Sequence, residues 1–196
     1  NDKYKIPTRA DNPFATDYCA DSDVSEPLDD ECSSFFQHLI GVMRWMVELG
    51  RVDIAVEVSL LSSYLAYPRE GHLEAAIHII GYLRQKHNTR LIFDPTYPKI
   101  NENDFPQFDW TEFYGDVTEA IPTDMPKPLG KEVEIRMMVD SDHAGDKRTR
   151  RSRTGFLIYF NMALIVWLSK RQPTIETSVF GAEFVAMKHG IETLRD

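Results

Sequence analysis

"RMMVDSDHAGDKRTR", residues 136–150, carries an apolar run straight into Asp140, Asp142 and Asp146 and then into Lys147, Arg148 and Arg150. Such a run has two physical readings. One is a strand running out into a solvated, charged turn; the other is a hard-cation site beside a phosphate-binding surface. The flanking sequence decides which fold carries it. "EVEIRMMVD" (132–140) alternates as a strand, "TGFLIYF" (154–160) and "ALIVWLS" (163–169) are two more β-prone runs, and "FNMA" (160–163) between them is a short hairpin connection. "RQPTIETS" then leads into a helix from about Ser178, with Phe180, Phe184, Met187, Ile191 and Leu194 recurring on one face. The order is three strands and then a helix.

Upstream the period changes to that of helices. Phe35, Leu39, Val42, Met43, Met46 and Leu49 recur at three and four, predicting an amphipathic helix that Gly50 ends. Asp53 is placed to cap a second helix with Ile54, Val58, Leu61 and Leu65 on its stripe, stopping before Pro68. A third fits from Glu70 to Lys86 through Leu73, Ala76, Ile77, Ile80 and Leu83, and "RLIFD" (90–94) reads as a short strand. From Pro95 to Gly130, six prolines exclude long regular elements, while Phe105, Phe108, Trp110, Phe113 and Tyr114 predict a connection packed on a neighbour. The chain is therefore read as an α+β protein. Residues 1–33 form an extended, partly disordered acidic arm, 34–94 a three-helix module, 95–130 a Pro- and aromatic-rich connection, and 131–196 the strands and last helix.

With 196 residues and 42% apolar content the chain can bury a core. Its net charge of −9 argues against indiscriminate polyanion binding, yet Lys147, Arg148, Arg150, Arg151 and Arg153 crowd into one basic patch. Cys19 and Cys32 lack zinc-site spacing and are read as free thiols of a reducing compartment. No export signal or membrane-spanning run is present, giving a cytoplasmic or nuclear expectation with no membrane partner. The sequence starts at Asn1 and stops at Asp196 inside a helical pattern, so it reads as part of something longer.

On the last helix Glu183 lies beside Phe184 and one turn from Phe180 and Met187, on the face expected to pack. A carboxylate there needs a partner or a cation. If the helix crosses the sheet, Glu183 and Asp140 converge, and an oxygen-only donor set suits Mg2+ or Mn2+ rather than zinc. The alternatives at this point are a capping or salt-bridging role for Asp140 and Glu183, surface acids at Asp142 and Asp146, and a solvated turn for the basic patch. An EF-hand fails because Ala144 and Arg151 occupy ligand positions, and an aspartyl-phosphate motif fails because strands, not a helix, follow. His143 is isolated and reads as a loop residue.

These residues carry a resemblance. "VDSDHAGDKRTRRSRTGFLIYFNMALIVWLSKRQPTIETSVFGAEFVAM" resembles the ribonuclease H domain of copia-type retrotransposon polyproteins. That family has Asp-x-Asp-Trp-Ala-Gly, then Arg-Lys-Ser-Thr-Ser-Gly, then Trp-x-Ser-Lys-Arg-Gln on a strand and Ala-Glu-Tyr on a helix. The stretch from Phe35 to Asp94 is similar to the thumb and connection preceding that domain. Departures are His143 for the family's Trp, Val52 for a Pro, and Gly181 for a Glu; no Tyr-x-Asp-Asp polymerase motif is present.

The resemblance implies a three-helix thumb/connection-like module followed by a partial ribonuclease H-like fold. It further implies that Asp140 and Glu183 are two of four acidic ligands to a pair of Mg2+ (or Mn2+) ions that hydrolyse RNA in an RNA/DNA hybrid. The other two ligands are expected beyond Asp196, which would leave this stretch inactive alone. Lys147, Arg148, Arg150, Arg151 and Arg153 are expected to face the hybrid's backbone, and the rest of the polyprotein is an expected partner. The alternative is a noncatalytic nucleic-acid-binding or protein-interaction remnant.

Overall fold

The computed structural model describes every residue except 1–3, 102, 104, 105, 107, 118, 119, 121 and 196. It is mixed α+β: helices come first, then a three-stranded antiparallel sheet, then a helix. Helix α1 spans Asp30–Glu48, α2 Ala55–Leu61 and α3 Glu70–Gln85. The Asp29 carboxylate accepts from Cys32 N at 2.8 Å and caps α1, and Asp30 and Glu31 in the first turn complement the helix dipole. Gly50, at φ 111°, ends it: Gly50 N donates to Val47 O and Arg51 N to Met46 O, each at 3.0 Å, the paired bonds of a glycine C-cap.

The core lies among these helices. Phe36, Ile40 and Met43 of α1 meet Ile54, Val58 and Leu61, and Leu73, Ala76, Ile79 and Leu83 of α3. The stripe on α1 is rotated from the sequence reading: Phe35, Val42 and Leu49 are exposed, while Leu39 and Met46 pack at its margin. Two overlapping apolar stripes compete on this helix, and the one facing both α2 and α3 is buried. Asp53 does not cap α2. It sits in a 3-10 turn, Val52–Ile54, and pairs with Arg51 at 2.8 Å.

The N-terminal segment corrects the expectation of partial disorder. Its polar residues satisfy the first turn of α3: Glu70 N donates to Glu26 O at 2.9 Å and Gly71 N to Ser25 Oγ at 2.9 Å. Further along, Ala10 N donates to Gln85 Oε1 and Arg84 to Pro7 O. Glycines make the crossing possible. A Cβ at Gly71 would lie 1.9 Å from Asp23 Oδ2, and one at Gly81 would lie 2.5 Å from Pro7 Cγ. Buried His72 stacks on Tyr64 at 4.1 Å, accepts from Arg69 N at Nδ1, and donates from Nε2 to Ala20 O.

Residues 90–94 form no strand; Ile92 and Phe93 are exposed because no sheet edge runs beside them. In the connection, a single turn of helix, α4 (Thr111–Tyr114), gathers Phe108, Trp110, Phe113 and Tyr114 against one another. They stay exposed, so the expected packing on a neighbour is not seen; Phe105 lies outside the described residues.

Strands β1 (Ile135–Asp142), β2 (Arg153–Phe160) and β3 (Ala163–Arg171) lie in that order. Asn161, left-handed at φ 53°, makes the tight β2–β3 turn, and its side chain accepts from Glu134 N and donates to Pro95 O. Helix α5 (Val179–Arg195) packs on β1 and β2 through Ala182, Ala186 and Gly190, one turn apart. A Cβ at Gly190 would meet Met137 Sδ at 2.3 Å. The face expected to pack does not: Phe180 is 78% and Phe184 53% exposed, and Met187, Ile191 and Leu194 share that exposed side. Small residues win the sheet because they allow the closest approach of helix backbone to strand side chains.

Two outcomes test this core. Leu73→Ala, at a fully buried position, is expected to cost about 2–5 kcal/mol in urea unfolding. Burial holds His72 below its ordinary 6.5, against the opposing pull of the Ala20 carbonyl and Asp23. The unfolded chain therefore binds a proton that the native chain does not, so stability is full above pH 6.5 and falls as pH drops through it. Thermal midpoints from pH 8 to 5.5 are expected to show that slope in the wild type and a shallower one in His72→Gln.

Candidate functional site

Register places Asp140 opposite Gly155, and Asp142 opposite Arg153, which is itself opposite Arg171. Side chains alternate across a strand, so Met138, Asp140 and Asp142 share the face turned from α5, and Met137, Val139 and Ser141 lie beneath it. The exposure pattern of β1 agrees: Met138, Asp140 and Asp142 are exposed and their odd-numbered neighbours are half-buried. Asp140 lines a cleft of about 490 Å3 between the sheet and Val52, Ala55 and Val56, with Leu157 and Trp167 on its floor.

The two remaining loop acids are not simple surface acids. Asp142 accepts a short hydrogen bond from Arg153 N, and its carboxylate sits where a Cβ on Gly145 would be, 2.0 Å away. Burial pushes its carboxyl up, Arg153 pulls it down, and the Asp21 and Asp140 charges add to the rise. Asp146 organises the β1–β2 loop: it accepts from Arg148 N at 3.0 Å, Thr149 N at 2.8 Å and Arg171 Nη1 at 2.9 Å. Burial alone would raise it, but these bonds, Thr149's foremost, hold it at about 2. The loop they fix includes Ala144 and Arg150 in the left-handed region, at φ 52° and 58°.

The basic patch divides. Lys147, Arg148 and Arg150 are exposed and Arg151 is half-buried. Arg153 turns inward: its guanidinium donates to Ser59 Oγ in a short bond, and Ser59 Oγ donates to Ser169 O at 2.6 Å. Trp167 Nε1 adds a bond to Val47 O at 3.0 Å. These three hydrogen bonds seam the helical module to the sheet, two at β3 and one at the start of β2. Sequence reasoning missed the seam, and it missed Gln172, which is buried and donates to Thr154 Oγ1 and Ala182 O, tying β2 to α5. The signal for Gln172 lay only in the Ser-Lys-Arg-Gln run, where a polar side chain with two donors follows a strand.

Glu183 is half-buried on α5, flanking the docked Ala182 rather than lying on the apolar stripe with Phe184. Carboxylate donors suit a hard cation. Among the described residues, however, no three metal-ligating side chains are gathered into one group, and Asp140 lies on the sheet face turned from α5, the helix that carries Glu183, so the expected convergence of the two carboxylates is not seen. Cys19 and Cys32 are free, as expected. Among the described residues no helix is long and apolar enough to cross a membrane.

This arrangement of helices, sheet and acidic strand end can be set beside known proteins. The chain is 26% identical over 151 residues to the retrovirus-related Pol polyprotein from transposon TNT 1-94 of Nicotiana tabacum, a match covering 77% of this chain and 9% of the polyprotein. It is 39% identical over 154 residues to the uncharacterized mitochondrial protein AtMg00810 of Arabidopsis thaliana, covering 79% of this chain and 50% of that protein. It is also 24% identical over 153 residues to the secreted RxLR effector protein 161 of Plasmopara viticola, covering 78% of this chain and 84% of the effector. No protein-family model matches the sequence, and no solved structure matches it. The chain is thus similar to a segment of the retrovirus-related Pol polyproteins of transposons, and its match spans only 9% and 8% of two such polyproteins.

If the seam holds the two halves together, Arg153→Met removes a charged hydrogen bond and is expected to cost about 1.5–3 kcal/mol in chemical denaturation. Lys147→Met, at an exposed position of the same patch, is expected to stay within about 0.5 kcal/mol of wild type.

Proposed function

We propose that the chain is part of a copia-type reverse transcriptase/ribonuclease H polyprotein, a thumb/connection module followed by the first half of a ribonuclease H fold. Its inherited reaction is hydrolysis of the RNA strand of an RNA/DNA hybrid, in the cytoplasm or nucleus. The observation that carries this reading is the run from Asp140 to Gln172. It follows the resemblance in order, and its signature residues have structural work: Gly145 leaves room for Asp142, and Gln172 ties the sheet to α5. Similarity to transposon Pol polyproteins supports the same reading.

In this proposal Asp140 and Glu183 would be two of the carboxylates that hold Mg2+ or Mn2+, with further carboxylates contributed by the rest of the domain. Bound there, the cations supply an activated water and a stabilised leaving oxygen. The exposed Lys147, Arg148 and Arg150 meet the hybrid's backbone, and Arg151 borders them. Arg153 is assigned to the seam instead.

A second reading is a noncatalytic interaction module. It is favoured by one observation: similarity covers 84% of the Plasmopara viticola effector, a protein far shorter than a polyprotein.

Cleavage of a labelled RNA/DNA hybrid, in Mg2+ and in Mn2+, separates the two readings. The assay compares this chain with one lengthened by the next hundred or so coding residues of its parent, on the order of one further half-domain. Cleavage by the lengthened chain, abolished in its Asp140→Asn variant, is the expected result. Hybrid binding with no cleavage by either chain supports the interaction module.

A further inference from the structure

On the far side of the seam from Asp140 lies a second cleft, of about 540 Å3, between α1, α2 and the end of β3. Its charged lining is Arg44 of α1, Arg151 of the β1–β2 loop, Lys170 and Arg171 of β3, and one acid, Glu48. Arg171 is already paired with Asp146 at 2.9 Å. Arg44 and Lys170 are exposed, with their charges available to a ligand. In a chain of net charge −9, this concentration of cations on three separate elements runs against the global balance. Ser63 adds a hydroxyl to the same walls, whereas the Ser62 hydroxyl donates to Val58 O at 2.7 Å.

The two clefts are continuous in their lining, since Ala55, Trp167, Leu168 and Ser169 wall both. A small anion would occupy one cleft; a polymer of phosphates can cross from one to the other. We infer that the Arg44–Arg151–Lys170 cleft binds the phosphodiester backbone of a nucleic-acid strand that passes Trp167 toward Asp140. The inference rests on the proposed nucleic-acid function and adds to it a surface on the helical module, carried by Arg44, outside the basic patch of the β1–β2 loop. Its chemistry is non-sequence-specific binding, in which charge neutralisation releases counterions and makes affinity steeply salt-dependent.

The test is fluorescence anisotropy of a short fluorescein-labelled RNA/DNA hybrid, titrated with this chain over a series of salt concentrations. Arg44→Gln/Lys170→Gln is compared with wild type and with Arg148→Gln/Arg150→Gln in the loop. Both pairs are exposed, and thermal melts check that each variant keeps the wild-type fold. The cleft pair is expected to weaken binding about tenfold or more near physiological salt. It is also expected to lower the slope of log K against log salt by about 2, one for each phosphate no longer neutralised.

A cleft pair with wild-type affinity and slope overturns the inference, as does displacement of the hybrid by a mononucleotide at matched phosphate concentration. Either result leaves the ribonuclease H reading standing on its cleavage assay. A wild-type chain that binds no hybrid at any salt overturns the cleft, and absence of cleavage by the lengthened chain is what separately removes the enzymatic reading.

Discussion

The fold depends on a seam of hydrogen bonds between the helices and the sheet, two at the edge strand β3 and one at the start of β2. An edge strand presents backbone groups that must find partners or water. Here Ser59 donates to the carbonyl of Ser169, Arg153 reaches across from β2 to the same serine, and the Trp167 indole donates to the end of α1. The helical core is well filled by its own aliphatic side chains, whereas the sheet is covered fully on one face only. Polar interactions of defined geometry, rather than a second hydrophobic core, set where the sheet stands. The Asp140 cleft and the Arg44 cleft are the spaces left on either side of that line.

Much of this was legible from periodicity. The three upstream helices and the three strands fall close to where apolar spacing puts them, because Gly50 and the hairpin at Asn161 are local signals; the first helix starts at Asp30, five residues before its apolar period, on an Asp29 cap that the spacing did not show. What failed needed tertiary information. On α5 the longest apolar stripe, from Phe180 to Leu194, looked like the packing face, yet Ala182, Ala186 and Gly190 face the sheet. Hydrophobicity identifies what prefers burial, but close approach selects small residues, and single-sequence spacing does not rank the two. The isolated run at residues 90–94 had strand composition without an adjacent edge to pair with.

For the site, the sequence marked the acidic strand end but not the hydrogen bonds that hold the loop acids Asp142 and Asp146. Asp146 looked like a surface acid because its ion-pair partner, Arg171, is distant along the chain and reaches it only through the folded sheet, while the nearby Thr149 amide meets it only once the loop is formed. Arg153 was grouped with its basic neighbours by proximity, while its position on β2 turns it toward α2. Arg44 lies more than a hundred residues from the patch it complements, on a helix whose visible signal was apolar. Charge runs are read along the chain; electrostatic surfaces are assembled across it.

Trp167 gives the molecule a built-in optical probe. Its ring walls both clefts and its indole N–H is fixed to Val47 O, whereas Trp45 and Trp110 are exposed to solvent. Its emission is therefore the blue-shifted component of the tryptophan spectrum, with quencher access limited by the seam. Separation of helices from sheet, or a nucleobase stacking on the ring, changes that component while the two exposed indoles serve as an internal reference.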